Sequence, residues 1–243
     1  MVQIHLSFYQ ITSAVGIAIL GATLQGSIGF GLGLISVPML AHIYQRFVPG
    51  PIILAALLLN LLMSYRERES IDIRGLKWPM LGRFLGTFMG AVILTIVPQQ
   101  KISIVFGLMV LLAVFLSISG LRLSPTPGNE IGAGTLSGIM ATVAAIGGPP
   151  LALIYQNLNG SQLRGTLSGI FVLGTILSLG ALVSVGKFGL QEIFLAFILF
   201  PGILIGFLLS RFITKWLDKG FLRPAVLIVS FISAISVILR NIF

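Results

Sequence analysis

The sequence contains no cysteine and only two histidines, His5 and His42. Without cysteine the chain has no disulfide, no thiolate nucleophile and no sulfur ligand for a metal ion or an iron–sulfur cluster. Two histidines are too few to build a metal site from imidazole alone. The sequence therefore predicts neither a metal ion nor another cofactor.

Charge is also scarce, because Asp, Glu, Lys and Arg make up 9% of the 243 residues, against roughly 25% in a soluble domain. Apolar residues reach 56%, and the mean hydropathy is +1.08. Such a chain cannot cover a globular surface in water, so we expect an integral membrane protein. The six carboxylates lie in loops or at the ends of apolar segments. No catalytic pair can be assembled from them inside the membrane, so the sequence predicts a protein that is not an enzyme.

The apolar residues form long segments separated by short polar loops. A helix needs about 20 apolar residues to cross a bilayer, and its backbone groups must be satisfied within the segment. The pattern predicts an all-α, polytopic membrane protein. Its apolar segments lie at about 7–44, 50–65, 75–97, 101–121, 131–157, 163–185, 190–213 and 222–241.

Two of these segments do not fit a single straight helix. Residues 7–44 are too many for one span and contain several glycines and Pro38, while 131–157 is interrupted by the run Gly-Gly-Pro-Pro at 147–150. Proline inside a helix removes a hydrogen-bond donor and clashes with the preceding turn. We expect both segments to be broken, either as re-entrant hairpins or as pairs of short spans.

The two interrupted segments occupy matching positions in the two halves of the chain, which indicates an internal repeat. We place the first transmembrane repeat at 1–121, a linker at 122–130 and the second repeat at 131–243. Interrupted helices in both halves are typical of transporters and point to the binding site. Matching small-residue patterns also recur, and they favour close helix packing. They are Gly82-x-x-x-Gly86-x-x-x-Gly90 and Gly202-x-x-x-Gly206-x-x-x-Ser210.

The basic residues predict how the halves face. The loops at 66–77 and 211–223 are both rich in Lys and Arg, and an odd number of apolar segments separates them. The two loops lie on the same side of the membrane only if a broken segment turns back instead of crossing. Most basic residues of the chain then lie on that side as well. We therefore expect two inverted-topology repeats in a multi-pass protein of the cell membrane, with both loops cytoplasmic. The net charge of +9 is assigned to this orientation and not to nucleic-acid binding.

The interruptions carry a resemblance to a known family. The first reads SIGFGLGLISVP at 27–38, and the second reads AIGGPPLA at 145–152. They resemble the glycine-rich signature, repeated in each half, of the TauE/SafE sulfite exporter family, also called the TSUP permeases. The chain departs from the fuller glycine run at Leu32, Ala145 and Pro149. The resemblance implies a permease for small sulfur-containing or organic anions such as sulfite, sulfoacetate and related sulfonates.

The residues themselves also favour an anion. A broken helix presents N–H groups and a partial positive charge, and glycine lets an oxyanion approach the backbone closely. The alternative is that the glycines serve packing alone. The candidate substrate-binding residues are Gln25, Ser27, Gly29, Gly31, Gly33, Ser36, Arg83, Thr142, Gly147, Gly148, Pro149, Gln156 and Asn157.

Several of these side chains have a second interpretation. Arg83 lies inside an apolar segment and either serves function or extends toward the basic loop. Gln156 and Asn157 either bind substrate or lie at the membrane interface. Asn60, also inside an apolar segment, either makes an interhelical hydrogen bond or lines the path.

The sequence predicts a permease or exporter for a small anion, moving down its own electrochemical gradient because no carboxylate is buried near the breaks. The alternative is a structural or assembly membrane protein that transports nothing. Expected partners are the anionic substrate and the lipid bilayer, without nucleic acid, and a homo-oligomer is compatible with the sequence.

Overall fold

The computed structural model describes residues 6–98 and 101–217, together with residues 231, 232, 235 and 239. These residues form helices without any strand, so the all-α prediction is confirmed for them. Most of the last predicted apolar segment, 222–241, lies outside the described residues. The helices are α1 (Phe8–Ile28), α2 (Leu32–Ile43), α3 (Gly50–Arg66), α4 (Lys77–Ile96), α5 (Ile102–Ile118), α6 (Pro127–Ala144), α7 (Gly148–Tyr155), α8 (Gly160–Ser184) and α9 (Leu190–Leu217).

Four of the described helices are long and apolar enough to cross a membrane. They belong to both predicted repeats, as expected for a polytopic protein. The helices or their qualifying parts are Phe8–Ile28, Lys77–Ile96, Gly160–Ser184 and Leu190–Thr214.

Two predicted loop boundaries differ from the structure. The helix α9 continues to Leu217, so the prediction of a loop from residue 211 was wrong. Basic residues mark the membrane surface, and no Gly or Pro ends the helix there. The helix α6 begins at Pro127, inside the predicted linker, because Thr126 caps its first turn by accepting from Asn129 N at 3.4 Å.

The first interruption is a helical hairpin. Gln10 Nε2 donates to Ile43 O at 3.3 Å, and Ser36 Oγ donates to Ile17 O at 3.5 Å, so α2 runs back along α1. The turn contains Gly29 at φ +107° and Gly31 at φ +128°. Residues with a Cβ rarely adopt these angles, which explains glycine at both positions.

The second interruption is also a hairpin. Tyr155 Oη, at the end of α7, donates to Glu130 Oε1, near the start of α6, at 3.1 Å. Leu123 N donates to Leu153 O at 3.2 Å on the same side. With 12 residues in α2 and 8 in α7, the returning helices are about 18 and 12 Å long. Neither reaches across about 30 Å of hydrocarbon, so each returning helix is too short to be a full span.

The two halves run in opposite directions through the bundle. Arg66, at the end of α3, donates from Nη1 to Ser210 Oγ near the end of α9 at 2.9 Å. The α3–α4 connection and the end of α9 therefore share one side, which we call the basic side. The helix α6 starts on the basic side, since Gly134 lies against the Pro79 backbone. The helix α1 starts on the opposite side, so the repeats are inverted.

The small-residue patterns join each half to the other. A Cβ at Gly82 or Gly86 of α4 would collide with the α6 backbone, and a Cβ at Gly202 or Gly206 of α9 would collide with the α1 backbone. The prediction that these patterns allow close packing is confirmed. Each hairpin is thus held by the fourth helix of the other repeat.

Candidate functional site

A cavity lies where the two interruptions meet. Gly33 lies against the Ala145 carbonyl, and Gly148 lies against the Phe30 ring. The cavity between them is about 40 Å³ in volume, room for about three water molecules at 10–15 Å³ each. Its lining includes backbone of both interruptions, among them the predicted residues Gly31, Gly33, Gly147, Gly148 and Pro149.

Arg83 of α4 supplies the charge in this cavity. It is 1% exposed, so it does not extend to the basic loop as one interpretation allowed. Arg83 Nη1 donates to Ser137 Oγ at 2.9 Å, and Ser137 Oγ donates to Gly147 O at 2.6 Å. The guanidinium carbon lies 5.5 Å from the centre of the Phe171 ring. These contacts tie the cation to the second interruption.

The charge of Arg83 is not neutralised by a carboxylate within the described part of the chain. The ion pairs found there involve other arginines, and Arg83 Nε is buried without a hydrogen-bond partner. An unpaired charge in a membrane protein interior is costly. A cation that persists at such a cost, on the wall of a cavity, is suited to bind an anion.

Two glycines make room for the guanidinium. A Cβ at Gly174 of α8 would overlap Arg83 Nε and the guanidinium carbon. A Cβ at Gly147 would lie 2.9 Å from Arg83 Nη1. Gly174 was not among the predicted residues, although it shares a helix face with Phe171, Thr175 and Ser178, which line the cavity.

The first repeat contributes a buried amide pair. Gln25 Nε2 donates to Asn60 Oδ1 at 2.7 Å, while Gln25 Oε1 accepts from Leu32 N at 3.1 Å. Both side chains line the cavity. Asn60 therefore makes an interhelical hydrogen bond, as one interpretation held, and it also lies on the cavity wall.

The second repeat has a hydroxyl pair in the corresponding place. Thr142 Oγ1 and Ser178 Oγ are 2.9 Å apart, and Ser178 lines the cavity. Thr142 is buried behind it. Thr175 also lines the cavity, with its hydroxyl donating to Phe171 O at 2.6 Å.

Other predicted residues lie away from the cavity lining. Ser27 Oγ donates to Thr23 O at 2.7 Å, and Ser36 Oγ donates to the α1 backbone. Gly29 lies against Arg164 of α8. Gln156 and Asn157 are exposed beyond the end of α7, where Gln156 Nε2 donates to Leu121 O at 3.0 Å.

Residues missed by the sequence analysis are Ser137, Thr175, Ser178 and Gly174. Ser137 connects Arg83 to the interruption. The signal that could have found the other three is their position inside the apolar segment 163–185, on one face of a helix.

Two further arginines bind carbonyls at the first interruption. Arg66 Nη2 donates to Gly26 O at 2.5 Å, and Arg164 Nη1 donates to Ser27 O at 3.5 Å. Both arginines also bind Glu67 Oε1, from their Nε atoms, at 3.1 and 2.9 Å respectively. We call Arg66, Glu67 and Arg164 the Glu67 cluster. It satisfies carbonyls at the end of α1 that have no partner within the helix.

The comparisons with known proteins identify a family. The family model described as Sulfite exporter TauE/SafE matches residues 14–237, nearly the whole chain and both interruptions. No curated protein and no solved structure matches the chain. The chain therefore belongs to the TauE/SafE sulfite exporter family.

Proposed function

We propose that the protein is a permease of the cell membrane that exports a small organosulfur or related anion, of the sulfite and sulfonate class. The anion binds in the cavity between the two broken helices. The observation that carries the proposal is Arg83, a buried cation on the cavity wall with no carboxylate partner among the described residues. Family membership supports a sulfite or other anion as cargo.

The two interruptions contribute different groups to the bound anion. The first turn of α2 contains Gly33 and Leu34, which line the cavity, and the N–H groups of a helix's first turn have no partner within the helix and suit an oxyanion. The first turn of α7 contains Pro149 and Pro150, which have no N–H to donate. Arg83 lies beside this second interruption and supplies charged donors where the backbone cannot.

The arrangement of the two inverted hairpins allows the cavity to open to each side of the membrane in turn. Each hairpin packs on a helix of the other repeat through glycines, so a hairpin moves together with part of the opposite half. Exchange between two such arrangements alternates the access of a site at the repeat interface. The Glu67 cluster joins α1, α3 and α8 near the basic side.

The driving force follows from the groups around the anion. Among the described residues that line the cavity, none is Asp or Glu, so the wall offers no carboxylate to carry a proton or coordinate sodium. We propose transport down the anion's own electrochemical gradient. An interior-negative potential favours export by about 2.3 kcal/mol per charge per 100 mV.

Efflux from proteoliposomes tests the proposal. Vesicles loaded with labelled sulfite should release it faster when they contain the protein, and a potential clamped negative inside should increase the rate. Gln156→Ala, at an exposed position away from the cavity, is the control and should keep the rate. Efflux equal to that of protein-free vesicles, for several small sulfonates as well as sulfite, would favour the structural or assembly role instead.

A further inference from the structure

Within the described part of the chain, the cavity lining carries one positive charge and no negative charge. Among the described residues that line it, Arg83 is the charged one, and the polar remainder consists of neutral amide and hydroxyl side chains. The neighbouring cations of the Glu67 cluster are already engaged, since Arg66 and Arg164 both bind the Glu67 carboxylate and carbonyls of α1. The site therefore has one charge to offer an incoming ligand.

We propose that the site selects small oxyanions with a single negative charge, such as bisulfite or methanesulfonate, over dianions of the same size. This inference rests on the proposed function and specifies the substrate class of that site. A monoanion and Arg83 together make a neutral, hydrogen-bonded pair. A dianion leaves one negative charge buried without a partner, which is unfavourable in an enclosed site.

The donors around the cavity fit one charge as well. Arg83 Nε has no hydrogen-bond partner among the described residues, so the guanidinium keeps a donor that they do not use. Asn60 accepts from Gln25 through Oδ1, which leaves its amide nitrogen as a neutral donor. Ser178 Oγ and Thr142 Oγ1 form one hydrogen bond, in which either hydroxyl can be the donor. Neutral donors strengthen the binding of one charge, but they do not replace a second cation.

The volume of the cavity also favours a small anion. A cavity of about 40 Å³, on the scale of about three waters, favours an anion built on one sulfur atom and its oxygens over a longer one. Sulfoacetate adds a carboxylate arm, which brings both a second negative charge and a larger size. We expect it to bind more weakly than methanesulfonate.

Competition against labelled sulfite tests the inference with two matched anions. Methanesulfonate and sulfate both have tetrahedral sulfur and five non-hydrogen atoms, but they carry one and two negative charges. We measure the concentration of each anion that halves sulfite flux in proteoliposomes at neutral pH. This concentration should be at least tenfold lower for methanesulfonate than for sulfate. Sulfate competing equally well or better would overturn the inference and leave the proposed function standing. If the vesicles move no sulfite, the proposed function fails and the inference fails with it.

A second charge placed in the cavity should reverse the preference. In Thr175→Lys an ammonium joins Arg83 on the wall, and the ratio of the two half-inhibitory concentrations should shift toward sulfate by at least tenfold. Thr175→Val, which adds no charge, is the matched control and should keep the wild-type ratio. An unchanged ratio in a folded Thr175→Lys protein would contradict the charge argument. If the variant does not fold, the wild-type comparison alone decides.

Discussion

Each interruption of the bundle is held by an arginine, and the two arginines differ in what surrounds them. Arg66 donates directly to Gly26 O at the end of α1 and is paired with Glu67. Arg83 reaches Gly147 O through Ser137, lines the cavity and has no carboxylate beside it in the described residues. Both are largely buried, but among the described residues only Arg66 has a carboxylate beside it, which it shares with Arg164.

The difference separates a structural cation from a ligand-binding one. A buried arginine with a carboxylate and backbone carbonyls around it has satisfied donors and stabilises the fold. A buried arginine with an unpartnered Nε lowers stability until an anion arrives. We therefore expect replacement of Arg83 to reduce transport and replacement of Arg66 to reduce stability.

Replacing Arg83 with Met should have the largest effect on transport. Sulfite flux should fall at least about 25-fold, because losing a charged, desolvated contact costs about 2–5 kcal/mol and each 1.4 kcal/mol is tenfold. The thermal midpoint should stay the same or rise, since an unpaired buried charge is removed. Flux assays and thermal unfolding of the purified protein measure both. Arg83→Lys, which keeps the charge without the fork of donors, should fall between wild type and Met.

Replacing Arg66 with Met should show the opposite pattern. Gly26 O and Ser210 Oγ lose their charged donor, so the free energy of unfolding should drop by about 2–3 kcal/mol. Arg164 still pairs with Glu67, and flux per folded molecule should stay within about threefold of wild type. If Arg66→Met has normal stability but no longer transports, Arg66 takes part in binding the anion, and the distinction between the two arginines is wrong.

Substituting Gly174 with Ala should weaken substrate binding without removing the charge. The added Cβ overlaps the Arg83 guanidinium and displaces it, at a cost of about 1–3 kcal/mol for overpacking. We expect about a tenfold rise in the KM for sulfite. Gly180→Ala on the same helix is the matched control, because a Cβ there meets nothing within 4 Å. Equal KM values in the two variants would show that the guanidinium position does not matter.

Removing the Ser178 hydroxyl should have the smallest effect. Ser178→Ala loses one neutral hydrogen bond, to Thr142, worth about 1 kcal/mol. Flux should change less than threefold, and unfolding should shift slightly. Ser184→Ala, near the exposed end of α8, is the control for serine loss on that helix. A loss of flux comparable to that of Arg83→Met would mean that hydroxyls, and not the cation, dominate binding.

Much of the fold could be predicted because glycine and proline interrupt helices for local reasons. The runs around Gly31 and Gly147 break their segments, whereas Pro38 and Pro201 lie inside helices, and matching positions in both halves reveal the repeat. The inversion followed from the positions of basic residues, because charge is constrained by the bilayer.

The side-chain directions at the site could not be predicted in the same way. Gln156 lies close to the second interruption in sequence, but α7 is only 8 residues long and carries it to the surface. The inward direction of Arg83 depends on space left by Gly174, which is distant in sequence. Such choices are made by packing between helices, for which local periodicity gives no signal.

The most direct test of the central claim is the location of the bound anion. Crystals of the protein grown with selenite, a heavier analogue of sulfite, permit anomalous diffraction at the selenium edge. The account predicts a single strong peak in the cavity, within hydrogen-bond reach of Arg83 and close to both interruptions. A peak found at the Glu67 cluster or at other basic residues, with the cavity empty, would contradict it.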